Sequence, residues 1–122
     1  MNGLAVAAGI FLFGGLGSAA RFAVHKGIVR SHPSEFPLGT FIVNILGAFL
    51  LGLLYGAAAI GDAATFAGVG FLGGFTTFST WMYESERLAV DGYANGAARN
   101  LAVSSAVGYL AVTLGVALGQ AL

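Results

Sequence analysis

An all-α integral membrane fold of four transmembrane helices, the third of them broken, follows from three observations on the 122-residue chain. Hydrophobic residues make up 57% and charged residues 8%, too few charges to solvate the surface of a soluble domain this size. The apolar residues gather into four runs, each near the roughly 20 residues a helix needs to cross a bilayer. The third run contains GGFTTFSTW at 73–81, where paired glycines weaken a helix at its centre. Formal net charge is zero, so no basic surface is offered to nucleic acid. The absence of Cys excludes a disulfide framework, thiol catalysis and a thiolate metal site.

The first span runs from about Leu4 to Val24. Its start, MNGLAVAAG, lacks the basic flank of a signal peptide and its apolar run is too long for one, so it reads as a retained span. It also lacks the Gly directly after Met that myristoylation needs. With no targeting signal visible, a bacterial inner membrane is the expected location. Gly14, Gly17, Ser18, Arg21 and His25 recur every three or four residues and share one face. An Arg within a span costs a few kcal/mol. It either sets a field inside the bundle or snorkels to the interface from a position near the span's end.

KGIVRSHPSEFP leads to the second span, Leu38 to Ile60, whose polar face carries Thr40, Asn44, Gly47 and Ala48. After the turn at Gly61–Asp62 comes the third span, Ala63 to Leu88, and after AVDGYAN the fourth, Ala97 to Leu122, with Asn100, Ser104 and Gly108 on one face. These short connections predict antiparallel sequential neighbours. Residues 1–122 therefore form one four-helix subunit with no soluble domain. Gly52/Gly56, Gly70/Gly74 and Gly115/Gly119 have the small-xxx-small spacing that lets helix backbones approach closely in lipid. All five basic residues, Arg21, Lys26, Arg30, Arg87 and Arg99, lie on the side opposite both termini. The positive-inside rule would place that side in the cytoplasm.

No catalytic constellation is present, so an enzyme is not expected. His25 and His32 have no Cys or acid at metal-ligand spacing. Glu84 and Glu86 near the end of span three read as solvated interfacial groups, and no acid lies at mid-membrane to relay protons.

A break at Gly73–Gly74 would free carbonyls suited to a cation at the end of one half-helix and N–H groups suited to an anion at the start of the next. Thr76 or Thr77 is placed to cap that start. Phe78 and Trp81 share a face three residues apart, with Ser79 and Thr80 beside them. Aromatic edges carry weak positive charge, and Ser, Thr and the Asn44 amide add donors. Such a lining suits a narrow, dry route for a small, tightly hydrated anion. Ordinary helix packing through the same residues is the competing reading. A lone chain of four short helices encloses little space, which points to a symmetric dimer.

GGLGSAARF at 14–22, GTFIVNILGAFLLG at 39–52, GFLGGFTTFSTW at 70–81, YESERL at 83–88 and NLAVSSAVGYLAVTLG at 100–115 resemble the Fluc, or CrcB, fluoride channels along essentially the whole chain. The resemblance implies passive, selective fluoride export through two pathways in an antiparallel, dual-topology dimer, with a structural Na⁺ at the dimer axis. By position, the backbone carbonyls of Gly73 and Thr76 match the donors to that ion. Phe78 matches the first aromatic of the family's paired Phe box, Ser79 and Thr80 its hydroxyl track, and Asn44 the pore Asn. Arg21 matches the vestibule Arg and Ser104 a hydroxyl beside the path. The resemblance implies fluoride, membrane lipid and a second copy of the chain as partners. The lopsided placement of basic residues keeps a heterodimer of oppositely inserted subunits as the alternative. One departure is Trp81, where the family pattern has Phe; its indole N–H is an additional donor, expected to point into the anion path. A proton-coupled exporter of the small multidrug resistance class shares the four short spans but needs a membrane Glu on the first helix, where this chain has Arg21. A non-transporting assembly subunit would leave the hydroxyl–aromatic cluster unexplained.

Overall fold

The computed structural model describes residues Met1–Leu122. The chain is helical throughout: α1 (Gly3–Ser31), α2 (Leu38–Gly56), α3 (Asp62–Thr65), a π-helical stretch (Phe66–Leu72), α4 (Gly73–Phe75), α5 (Phe78–Val90) and α6 (Ala94–Gln120). Three helices, α1, α2 and α6, are long and apolar enough to cross a membrane, so this is a multi-pass membrane protein. The third run of the sequence is instead split. α3, the π-helical stretch and α4 follow one another directly as one rod, and α5 begins anew after Thr76 and Thr77. With 13 residues, α5 is about 20 Å long, less than the roughly 30 Å hydrocarbon core.

Local chemistry sets the ends of these elements. The Asn2 side chain accepts from the Ala5 N–H at 2.9 Å and caps α1. α1 then continues to Ser31, beyond the expected end at Val24, and stops just before Pro33. α2 ends at Gly56, short of the expected Ile60, because Ala58 turns to a φ of 50°. Gly61 and Gly92 both adopt a φ of 92° in the turns that follow α2 and α5, a conformation that other residues resist. The Met1 amino group lies 3.2 Å from Asp62 Oδ2, which places the start of α1 beside the start of α3.

The small-residue pairs join helices that are not sequential neighbours. Gly52 and Gly56 of α2 lie against the backbone of Val112 and Val116 in α6, while Gly115 and Gly119 lie against α2 from Phe49 to Ala57. Both series ascend together, so α2 and α6 run parallel. α1 and the rod are likewise parallel: Gly9 meets Phe66, Gly17 meets Phe71 and Phe75, and Gly74 meets the Gly14 carbonyl. Without glycine at these crossings the backbones could not approach this closely. α5 and α6, which are sequential, pack antiparallel, with Trp81 and Ser85 at Asn100 and Leu88 at Gly96. Val43, Leu72 and Phe75 are the large buried apolar side chains, and the polar Thr40 and Asn100 are buried as well, at 2% and 1% exposure. Apolar rings and chains such as Phe11, Phe22, Tyr109 and Leu110 face outward, as expected where lipid is the solvent.

Candidate functional site

The break lies three residues beyond the glycines expected to cause it. Gly73 is helical, at φ −60° and ψ −41°, and Gly74 stays in α4. Thr76 (φ −90°, ψ 159°) and Thr77 (φ −148°, ψ 122°) are the extended residues. β-branched residues are at ease in that conformation. Gly74 serves packing instead, since a side chain there would strike the Gly14 carbonyl.

Two extended residues at membrane depth expose backbone groups that must find partners within the protein. Asn44 on α2 supplies them for Thr77: Oδ1 accepts its N–H at 2.8 Å and Nδ2 donates to its carbonyl at 2.9 Å. Arg21 on α1 donates from Nη1 to the Thr76 carbonyl at 3.2 Å, and Ser18, one turn earlier, donates to the Gly74 carbonyl at 3.3 Å. The polar stripe of α1 therefore faces the broken helix. Arg21 lies well inside α1, which runs on to Ser31, and does not snorkel from a helix end.

Thr77 also restarts the helix. Its hydroxyl accepts the Thr80 N–H at 3.2 Å, the usual satisfaction of an orphan donor at a helix start. That hydroxyl also meets the Thr80 hydroxyl at 3.1 Å and the Ser79 hydroxyl at 3.3 Å. Three hydroxyls and the N-terminal N–H groups of α5 are thus gathered at one point, a site suited to negative charge.

Asn44, Gly73, Thr76, Thr77, Phe78 and Trp81 line one open concave face of about 370 Å³. Phe78 is 70% exposed there. Its ring stands edge-on to Trp81, with centroids 5.8 Å apart and planes at 82°. Ser79 and Thr80 sit at the start of α5, near this face but not on its wall. The Thr77 N–H, which would close the next helical turn onto Gly73, goes to Asn44 instead. The Gly73 carbonyl therefore loses its helical donor.

Two expectations need correction. The Trp81 indole N–H does not point into the concave face; it donates to the Asn100 carbonyl on α6 at 3.2 Å. An indole is long enough to reach the neighbouring helix, and in a dry interior its N–H requires an acceptor. Ser104 is buried and donates to Asn100 Oδ1 at 3.3 Å. The second correction concerns Glu84, read from the sequence as a solvated interfacial acid. It is half-buried and accepts from the Thr40 hydroxyl. Beside it, His25, His32 and Gly39 help to line a cavity of about 160 Å³.

Sequence reasoning missed Ser85, which donates to the Trp81 carbonyl at 2.9 Å and accepts from Asn100 Nδ2 at 2.8 Å. Its position four residues after Trp81 was the available signal. No group of three or more His, Cys, Asp or Glu comes together in a way that could hold a metal.

Known proteins share this arrangement of sequence. The family model described as CrcB-like protein, Camphor Resistance (CrcB), matches residues 8–116. The chain is similar to the fluoride-specific ion channel FluC 2 of Mycobacterium tuberculosis (strain ATCC 25618 / H37Rv), with 46% identity over 117 residues covering 96% of this chain and 93% of the relative. It is 44% identical over 120 residues to the FluC 2 channel of Mycolicibacterium paratuberculosis, covering 98% of each. To the FluC 1 channel of Nocardia farcinica it is 42% identical over 109 residues, covering 89% of this chain and 77% of the relative. On the match of its family model and these near full-length similarities, the chain belongs to the CrcB family.

Proposed function

We propose that this protein is a subunit of a fluoride-specific ion channel that lets cytoplasmic fluoride leave the cell passively, and that it is not an enzyme. The names of its relatives give the ion. The observation that carries the reading to this chain is the open face at the broken helix. It sets an amide, backbone carbonyls and two perpendicular aromatic rings around one concavity. The aromatic edges and the second hydrogen of Asn44 Nδ2 offer weak donors to a small anion, and weak multiple donors allow entry and release. Arg21 adds a positive field behind the break, and the Ser79 and Thr80 hydroxyls extend the donors along α5. Ser104 supports the pathway from α6.

The rod and α5 together make the fourth crossing. The concave face is open in one chain, and a wall with Phe78 exposed needs a second surface to close it. An antiparallel dimer with one pathway at each of two such faces meets that need. Carbonyl oxygens are the donor type a hard cation takes. Gly73 has lost its helical donor, and Thr76 keeps a second lone pair beside its Arg21 bond. Both fit a structural Na⁺ shared between two copies, which would tie the two breaks together. A bacterial inner membrane is the proposed location, with lipid covering the outward apolar rings. Lys26, Arg30, Arg87 and Arg99, which lie on one side, favour a fixed orientation, and with it an oppositely inserted partner chain, as the second reading.

One experiment tests the channel reading: the single purified chain in liposomes loaded with fluoride or chloride. Fluoride leaves and chloride stays if the reading holds. Equal passage of both ions overturns it, and fluoride passage that needs a second gene product favours the heterodimer.

A further inference from the structure

Trp81 is the only tryptophan of the chain, and it is held by a closed ring of hydrogen bonds. The Ser85 hydroxyl donates to the Trp81 carbonyl at 2.9 Å. The Asn100 amide Nδ2 donates to the Ser85 hydroxyl at 2.8 Å. The Asn100 carbonyl accepts the Trp81 indole N–H at 3.2 Å. Asn100 is 1% exposed, and its remaining acceptor, Oδ1, receives the Ser104 hydroxyl at 3.3 Å. No buried side-chain polar atom in the protein lacks a partner.

The ring fixes two things at once. Through Ser85 it sets the register of α6 against α5. Through its own carbonyl, Asn100 then fixes the tilt of the indole. The tilt matters because Trp81 stands at 82° to Phe78, and both line the concave face. An indole is larger than a benzyl ring, and rotation about its side-chain bonds would sweep it across that face. A fully satisfied buried network is the arrangement that rigidifies a site.

We propose that Asn100, acting through Ser85, is a positioning residue for the ion pathway: it pins the Trp81 indole perpendicular to Phe78 and out of the passage. Asn100 does not touch the ion itself. The inference rests on the channel reading above for its consequence, though the restraint on the ring can be read separately.

The full-length protein is reconstituted in liposomes as the parent, Asn100→Leu and Ser85→Ala. Two quantities are measured: the fluorescence anisotropy of the lone tryptophan and the rate of fluoride efflux. In both variants anisotropy falls and efflux drops about fivefold or more, the population change that loss of one net hydrogen bond produces. A third comparison separates positioning from general stability. In a Trp81→Phe background, whatever its own rate, Asn100→Leu produces no further loss, because no indole is left to pin. Unchanged anisotropy in both variants overturns the proposal, as does lowered anisotropy with unchanged efflux, or an equal loss in the Trp81→Phe background. If Asn100→Leu fails to assemble, Ser85→Ala, which deletes one hydroxyl, decides the matter alone in both backgrounds. If the parent passes no fluoride, the channel reading fails, and with it the consequence proposed for the pathway. The anisotropy would still report the restraint.

Discussion

Asn44 grips Thr77 at both of its backbone polar groups, accepting its N–H at 2.8 Å and donating to its carbonyl at 2.9 Å. The two residues lie on different helices, so a single side chain both mends a break in one helix and ties it to another. Thr77 is buried, and water is not available to replace a lost partner. Asn44→Leu, which keeps the volume and removes the amide, is expected to destabilise the protein by about 2 to 5 kcal/mol, the cost of stranding two buried polar groups. Asn44→Asp keeps the acceptor for the N–H and places a carboxylate against the Thr77 carbonyl, so it also destabilises. Denaturation in detergent, followed by loss of helix signal, measures both.

Arg21 is the second support of the break. Its guanidinium donates to the Thr76 carbonyl at 3.2 Å from within α1. A hydrogen bond to a charged group is worth about 1.5 to 3 kcal/mol, so Arg21→Met is expected to lose that much stability and to slow fluoride efflux. Arg21→Lys keeps the charge but offers a compact ammonium where the planar fork reached. It should fall between parent and Met on both measures. A Lys variant as impaired as the Met variant would show that geometry, not charge, is what the site needs.

Much of this site was legible in the sequence because three- and four-residue spacing maps directly onto a helix face. Gly14, Gly17, Ser18 and Arg21 do face the broken element together, and Thr77 caps α5 as its chemistry suggests. The glycine pairs do mark close crossings. What spacing cannot show is the partner. The pairs join parallel helices, α2 with α6 and α1 with the rod, and no local pattern specifies that choice. The position of the break was misread for a related reason. Glycine weakens a helix but does not end it when a neighbouring backbone presses against it, as Gly14 does against Gly74. The π-helical stretch at Phe66–Leu72, where the Gly73 N–H reaches back to Gly68, had no signal beyond abundant glycine. The direction of the Trp81 N–H depends on Asn100, 19 residues away in sequence on another helix, and lies outside any local reading.

Phe78 gives a prediction that separates transport from folding. It is 70% exposed in the chain and touches Trp81 edge to face. Phe78→Ile removes the ring while keeping an apolar side chain, so helix content and purification yield should hold. Fluoride efflux is expected to fall about tenfold, the scale of one aromatic-edge interaction. Unchanged efflux would make Phe78 packing bulk and remove it from the pathway.

The closest backbone approaches give the most discriminating stability test. A methyl group on Gly17 would meet the Phe71 carbonyl, and one on Gly74 would meet the Gly14 carbonyl. Both obstacles are backbone and cannot swing aside, so α1 and the rod must part. Overpacking of this kind costs about 1 to 3 kcal/mol or more. It also draws Ser18 and Arg21 away from the Gly74 and Thr76 carbonyls. Gly17→Ala and Gly74→Ala should therefore lose both stability and efflux. Gly15 sits on the same helix with nothing within 4 Å of where its methyl group would project, so Gly15→Ala should match the parent in both. Denaturation midpoints and efflux rates for the three variants decide the matter. Alanine is the better helix former, so if Gly15→Ala proved as damaging as Gly74→Ala, the loss could not be assigned to the contact between α1 and the broken helix.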